Sequence, residues 1–317
     1  MIIQKFKKYL YSISLTSLKW YNKGKLKPDL ISIFFEKCIF WAKLGIIPDF
    51  KKPTIWGAFL CNRKFYGDYK MLALVSDKLK VRDYVEKRIG IAYLQTLIDI
   101  VDNTEDIDEE RYLTYPEQFV VKPNHASERV FINKEYNYSL FKRSIRGFMD
   151  EFGNRNNEFH YKQINKKLLI EEYLKPQKEP LLEYKVWVFN GRVELIVPSH
   201  SVYERKLSNT YLYRFYDRDW NEPAVQDRIE PAPLEDTPKQ LAEIIQISEE
   251  LAKGWDFIRV DLYLIDGAIK FGELTPTPSA GRSFFLSLED HQYLYNSIFN
   301  SDSLSSSSLQ LLPKHRR

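Results

Sequence analysis

The stretch Phe257-Ile-Arg-Val-Asp-Leu-Tyr-Leu-Ile-Asp-Gly-Ala-Ile-Lys-Phe-Gly-Glu-Leu-Thr275 alternates apolar and polar side chains on either side of Asp266-Gly267. That is the pattern of two antiparallel strands joined by a tight turn. A three-residue turn, with Gly267 left-handed, allows Ile265 to pair with Ala268 or Ile269; in the latter register Asp261 faces Glu273 and Arg259 faces Thr275. A two-residue loop offsets the two acids by one position. In the Ile269 register all four side chains share a face. Neighbouring carboxylates repel and lose hydration, so they are tolerated mainly around a cation. Hard oxygen donors suit Mg²⁺, which takes its other ligands from water and phosphate, and Arg259 beside them can hold a phosphoryl group. The bland alternative is an exposed hairpin face of solvated charges. The small-residue loop Thr275-Pro-Thr-Pro-Ser-Ala-Gly-Arg282, following directly, favours a site.

The rest of the 317-residue chain is compatible with an enzyme of one large or several small domains. Hydrophobic residues make up 44% and aromatics 15%, enough for a substantial core, and a net charge of +4 does not argue for nucleic acid. Cys38 and Cys61 form no metal-ligand or disulfide framework, which suits buried thiols in a reducing cytoplasm. The most apolar run, Leu30–Ile47, is broken by Glu36, Lys37 and Lys43 and is no membrane span. No secretory leader is evident in Met1–Leu18.

Residues 1–52 read as a basic, apolar helical segment: two helices joined by the turn Asn22–Asp29, with nine lysines and no arginine before Phe50. In the second helix Ser32, Glu36 and Lys43 form a narrow polar stripe among apolar residues. Such a helix is usually buried against its own domain; the neighbouring lysines keep docking on a membrane surface or a partner open. Asp77–Gly90 predicts a helical unit capped by Ser76 or Asp77 and stopped by Gly90, and the acidic run Asp102–Glu110 predicts a solvated connection. Gln118–Lys122, Lys167–Glu172, Lys185–Phe189 and Arg192–Val197 read as strands, the last two joined by the hairpin signal Asn190-Gly191. Asp236–Lys253 predicts an amphipathic helix closed by Gly254. Residues 300–317, serine-rich with a basic end, read as a disordered tail. The class is α+β with largely antiparallel sheets, preceded by helices.

No G-x-x-x-x-G-K-[ST] loop, G-x-G fingerprint, protein-kinase signature, H-E-x-x-H or G-x-S-x-G elbow occurs. Instead R-V-D…G-E-L-T-x-T-P-x-x-G resembles the metal-binding end of the ATP-grasp superfamily, and most closely its TupA-like branch, named for teichuronopeptide biosynthesis. Three upstream blocks agree in order. Ser76-Asp77-Lys78 with Val81-Arg-Asp-Tyr-Val85 resembles D-K-x-x-V-R-x-Y-V, and Phe119-Val-Val-Lys-Pro-Asn-His125 resembles F-V-x-K-P-N-H. Leu169-Ile-Glu-Glu-Tyr-Leu174 with Glu183-Tyr-Lys185 resembles the nucleotide hinge and the strand after it. The likeness spans about Pro53 to Gly281.

By that resemblance residues 53–299 form an ATP-grasp domain, two α+β subdomains clasping ATP with a hinge near 171–185. Lys78 and Lys122 contact the phosphates, with His125 and Ser127 in the loop beside them. Glu171 and the backbone near Leu174 read the adenine, Glu183 the ribose, and Lys185 a phosphate or the acceptor. Asp261, Glu273 and Thr275 hold Mg²⁺, and Arg259 meets the γ-phosphate. The loop departs from the family's Gly-Ser-Gly, reading Ala126-Ser-Glu-Arg129. The implied activity is an ATP- and Mg²⁺-dependent carboxylate–amine ligase of bacterial surface-polysaccharide assembly, joining a sugar carboxylate to a small amine or amino acid. His125, Arg129, His200, Arg214, Arg218 and Arg282 are candidate acceptor contacts. A phosphotransferase acting on a glycan and a nucleotide-binding scaffold are the alternatives. The implied location is the cytoplasm, and peripheral association through residues 1–50 with the inner membrane face or with polysaccharide-assembly proteins stays open.

Overall fold

Asp266 and Gly267 both adopt positive φ, 50° and 88°, and Ile265 pairs with Ala268 across them, so the turn is a two-residue one. The acids nevertheless face each other. Leu262 pairs with Phe271, whereas Asp261 pairs with Glu273 and Arg259 with Thr275. The extra residue is Gly272, a bulge inside the second strand. It turns Glu273 and Thr275 onto the face of Arg259 and Asp261; in unbroken alternation they would follow Ile269 and Phe271 into the core. A Cβ at Gly272 would stand 2.9 Å from the Asp261 carbonyl oxygen, so the bulge needs glycine. The expected facing holds; its expected cause, a bulged turn, is replaced by a bulged strand.

This computed structural model describes residues 2–299 apart from 24, 26, 127–128, 151–155, 176–180, 201–213, 224, 226–233 and 284–285. The serine-rich segment 300–317 lies outside the described residues, as does Ser127. Two four-stranded antiparallel sheets organise the chain. The first has the order β1 (Leu97–Val101), β4 (Leu168–Glu172), β2 (Phe119–Pro123), β3 (Phe131–Asn133). The second has the order β6 (Arg192–His200), β5 (Leu182–Phe189), β7 (Phe257–Ile265), β8 (Ala268–Thr275). Asn190 and Gly191, both at positive φ, make the expected hairpin between β5 and β6.

Each sheet buries one face. In the first, Val101, Phe119, Val121, Leu168 and Ile170 pack with aromatic residues of α6 (Glu109–Leu113) and α7 (Tyr138–Ser144). The acidic connection is therefore partly ordered: Asp108 caps α6 by accepting from the Arg111 N–H. In the second sheet, Val186, Val188, Ile258, Val260 and Leu262 pack with α5 (Val81–Ile89) and α8 (Leu241–Leu251). The capped unit before Gly90 is a turn over residues 77–80 leading into α5, with Asp77 Oδ1 accepting from the N–H groups of Leu79 and Lys80.

Among the described residues, the apolar cover on the opposite face of the second sheet lies at one end. There Trp187, Phe189 and Phe257 pack against Trp56, Phe59 and Leu60 of α3 (Trp56–Tyr66) and against Leu294 and Ile298 of α9 (Leu288–Phe299). α4 (Tyr69–Ser76) leads from α3 to the turn before α5.

The N-terminal helices are α1 (Ile2–Tyr21) and α2 (Leu30–Leu44). Asp29 caps α2 by accepting from the Ser32 N–H, and Gly45, at φ 76°, ends it. α2 packs on its own domain through Phe40, which clusters with Phe50, Ala58 and Phe65, with Ile33 and Leu44 alongside. Two members of its polar stripe turn inward, Ser32 and Glu36 being fully buried, while Lys43 stays exposed; Leu30 is 82% exposed and Phe34 60%.

Candidate active site

Strand alternation decides which side chains reach the other end of this face of the second sheet. On β5, Glu183 and Lys185 share the face of Trp187 and Phe189, but lie beyond the aromatic cover. On β7, Arg259 and Asp261 share the face of Phe257, and the Gly272 bulge adds Glu273 and Thr275 from β8. The structure therefore brings together Glu183, Lys185, Arg259, Asp261, Glu273 and Thr275. The first sheet contributes its polar face: Lys122 and Glu171 lie on the side of Val120 and Leu169, away from the aromatic core.

Arg259 sits between the two acids. Its Nε donates to Asp261 Oδ1 at 2.6 Å and its Nη2 to Asp261 Oδ2 at 2.6 Å. The same Nη2 reaches Glu273 Oε1 at 3.0 Å and Thr275 Oγ1 at 3.1 Å, and the Thr275 hydroxyl donates to Glu273 Oε1 at 2.7 Å. Lys185 Nζ is 2.5 Å from Glu183 Oε2 and 3.3 Å from Asp261 Oδ2. Lys78 crosses between the sheets: its Nζ donates to the Ala126 carbonyl at 2.6 Å and lies 3.9 Å from Glu273 Oε2. Lys122 Nζ pairs with Glu171 Oε2 at 2.5 Å, with Arg82 on the other oxygen at 3.4 Å.

Burial works against every charge in this cluster, and the partners decide the outcome. Burial alone would raise the Glu273 carboxyl, but Lys78, then Arg259 and the Thr275 hydroxyl, hold it down at about 2. Burial lowers the Lys78 ammonium, with Glu273 opposing. Burial would also lower Lys185, yet Asp261 and Glu183 raise it. Burial lifts the Glu183 carboxyl against the pull of Lys185. Three cations, Arg259, Lys78 and Lys185, thus balance Asp261, Glu273 and Glu183.

Among the described residues no three His, Cys, Asp or Glu side chains converge as a metal cage. Two carboxylates with a neighbouring hydroxyl are a fitting donor set for Mg²⁺, which completes its shell with water and phosphate oxygens. Asp261, Glu273 and Thr275 would hold the ion, and the lysines would meet the phosphates it accompanies. Each cation here is already within reach of an acid, so phosphate binding would exchange partners rather than bury a bare charge.

Other candidates are committed elsewhere. His125 is 2% exposed; its Nε2 lies 3.1 Å from the Asp150 carbonyl, and burial lowers the ring to about 4, leaving it neutral. Arg282 pairs with Glu36 through bonds of 2.7 and 2.8 Å, which removes it as an acceptor contact. Arg218 pairs with Glu249 of α8, Arg214 with Glu222, and Arg129 with the Gly147 carbonyl. Leu174 follows β4 and is half-buried; the His200 side chain lies outside the described ones.

Sequence reasoning passed over Gly272, although the core positions Ile269, Phe271 and Leu274 break a period of two at that point. It also passed over Glu158. This carboxylate accepts from the Thr277 hydroxyl at 2.7 Å, and burial raises it to about 7, with Lys64 opposing. No local pattern marks it; only the fold brings it to the loop after β8.

A family model described as TupA-like ATPgrasp matches residues 58–298. Among solved structures the chain is similar to D-alanine–D-alanine ligase from Bacillus anthracis complexed with ATP, at 17% identity and a TM-score of 0.42, covering 73% of this chain and 64% of that one. It is also similar to L-amino acid ligase from Bacillus licheniformis, at 15% identity and a TM-score of 0.38, covering 71% of this chain and 48% of that one. The ATP-grasp ligase PsnB with Mg and ADP is similar at 10% identity and a TM-score of 0.38, covering 77% of this chain and 65% of that one. This chain thus spans less than two thirds of the length of each. No curated protein matches the chain. With the family's blocks in order and its model matched over residues 58–298, the chain belongs to the TupA-like ATP-grasp family.

Proposed function

We propose that the chain is an ATP- and Mg²⁺-dependent ligase that activates a carboxylate and joins it to an amine. One observation carries this reading: Arg259 bridges Asp261, Glu273 and Thr275 on a face that Lys78 reaches from between the sheets. Mg²⁺ bound at the two carboxylates would neutralise charge on the β- and γ-phosphates. Lys78, Lys122 and Arg259 orient the phosphates and stabilise charge spread over the transferring phosphoryl group. An acceptor carboxylate oxygen attacks the γ-phosphorus as the bond to the β-phosphate oxygen breaks, giving an acyl phosphate and ADP. The amine then attacks the acyl carbon, phosphate leaves, and the nitrogen loses a proton. No enzyme nucleophile is needed, which agrees with the absence of Ser or Cys motifs.

The acceptor class is a uronic acid or similar sugar carboxylate and the amine a small amine or amino acid, in bacterial surface-polysaccharide assembly. The family's named role in teichuronopeptide biosynthesis supports this. Lys185, beside Asp261 at 3.3 Å, is the cation placed to meet the acceptor carboxylate. Incubation with ATP, Mg²⁺ and pooled uronic acids and amino acids, read by mass spectrometry, tests the proposal. An amide product with ADP supports it. A phosphorylated acceptor formed without any amine indicates a phosphotransferase, and ATP binding without turnover indicates a scaffold; either overturns it.

A further inference from the structure

The outer face of the N-terminal hairpin has no role in the site. On α1, Phe6 is 55% exposed, Tyr9 66%, Ile13 41% and Trp20 79%. Their spacings of three, four and seven place them along one face of a helix with 3.6 residues per turn. The opposite face packs on α2, where Leu18 is fully buried and Lys43 lies over the Tyr11 ring at 4.2 Å. Near the N-terminus the edge of this contact includes Phe6, edge-on to Trp41 at 6.3 Å, and Lys7 over the same ring. The apolar surface continues at the start of α2, where Leu30 and Phe34 are exposed. From Phe6 to Trp20 the helix rises about 21 Å, so this is an extended apolar strip.

Charge identifies what the strip meets. Residues 1–28 contain seven lysines, Lys5, Lys7, Lys8, Lys19, Lys23, Lys25 and Lys27, and no arginine. The first acidic residue, Asp29, pairs with Lys25 at 2.5 Å, which leaves six lysines to set the charge of this segment. Protein interfaces favour arginine and disfavour lysine, because the planar fork pairs bidentately while lysine keeps its hydration. A diffuse anionic surface has no such preference. Lysine stems lie along the apolar layer while the ammonium groups stay among headgroups, and tryptophan settles at the same depth.

We propose that α1 and the start of α2 dock on an anionic phospholipid bilayer, with Phe6, Ile13 and Trp20 entering the interface and the lysines facing the headgroups. The hairpin is not a loose tether. Glu36 of α2 is fully buried and holds Arg282, while Asn22, following α1, donates to Asn157 at 2.7 Å. Docking therefore orients the rigid body that carries the loop 275–282, and with it the candidate site. This placement stands whether or not the ligase reading does.

The test is co-sedimentation of the full chain with vesicles of phosphatidylcholine alone or with about one third phosphatidylglycerol. The wild type is expected to bind the anionic vesicles at least ~10-fold more tightly, and to weaken as salt rises. Phe6→Ser with Ile13→Ser and Trp20→Ser should lose at least ~10-fold of that binding, and Lys5→Gln with Lys8→Gln and Lys19→Gln should lose the preference for anionic lipid. All six positions are exposed, so unchanged thermal melting confirms that the variants are folded. Equal sedimentation with both vesicles, or an apolar triple variant that binds like wild type, overturns the proposal. So does a wild type that binds neither vesicle but self-associates through this face.

Discussion

Two charge clusters lie at opposite ends of the loop between β8 and Arg282, and they use similar groups for different ends. At one end Glu273 is held at about 2 by Lys78, Arg259 and Thr275. At the other, Glu36 is also held at about 2, burial being opposed by Arg282, then Lys64, and by the Asn157 amide. Access separates them. The Glu36 side chain is fully buried and Arg282 is 8% exposed, whereas the Glu273 side chain is 32% exposed. The sealed cluster keeps its partners and fixes the position of α2 and the loop. The other, in which Asp261 is only 1% exposed but Glu273 stays partly open, can exchange the partners of Glu273 for phosphate and a metal. The same electrostatics supports structure where it is sealed and chemistry where it is open.

The contrast can be broken from the sealed side first. Glu36→Ala leaves Arg282 and Lys64 as buried cations without their carboxylate and should cost about 3–5 kcal/mol, read as a lower urea midpoint. A variant that unfolds like wild type would show that the sealed cluster carries no structural load. Gly272→Ala tests the bulge. Its methyl would meet the Asp261 carbonyl at 2.9 Å, which should destabilise by about 1–3 kcal/mol and lower turnover by turning Glu273 away. Lys122→Ala should lower thermal melting, because the buried Glu171 keeps only Arg82 at 3.4 Å. It should also raise the KM for ATP of the folded protein by roughly 10–100-fold, the loss of one charge-assisted phosphate contact at about 1.5–3 kcal/mol. An unchanged KM would remove Lys122 from the nucleotide site.

The subtlest effect is a pH slope. The Glu36 and Glu273 carboxyls, held low, contribute stability above pH 4.5 that is lost as pH falls from 4.5 toward 2. Glu158 has the opposite sign. Its carboxyl rises from 4.5 to about 7 on folding, so between those values the folded state binds the extra proton and stability falls as pH rises. Glu158→Gln should remove this one downward contribution, so that the slope of stability between pH 4.5 and 7 shifts upward relative to wild type. The buried neutral His125 and His160 contribute to that slope with the opposite sign. A slope identical to wild type would show that Glu158 does not contribute to it.

These contrasts also mark what could be read from the chain alone. The two hairpins of the second sheet were legible because alternation and the dipeptides Asn190-Gly191 and Asp266-Gly267 are local signals. The facing of Asp261 and Glu273 was reached, but its cause was placed in the turn instead of at Gly272. β1 was not recognised: its five residues carry no turn signal, and its existence rests on pairing with β4, some seventy residues on. The inward stripe of α2 was not legible either, since Glu36 meets an arginine 246 positions away. Local periodicity states that a helix has two faces; only the tertiary partner states which one is covered.

The most direct measurement is equilibrium binding of ATP with and without Mg²⁺, to wild type and to Asp261→Asn combined with Glu273→Gln. The open cluster predicts saturable, Mg²⁺-dependent binding by the wild type. It predicts that the double variant, still folded at the assay temperature although its melting temperature falls because Arg259, Lys78 and Lys185 lose their carboxylates, binds about 100-fold more weakly, or roughly 2.7 kcal/mol. Equal Mg²⁺-dependent affinity in both proteins would contradict the assignment of Asp261 and Glu273 as the metal-binding pair.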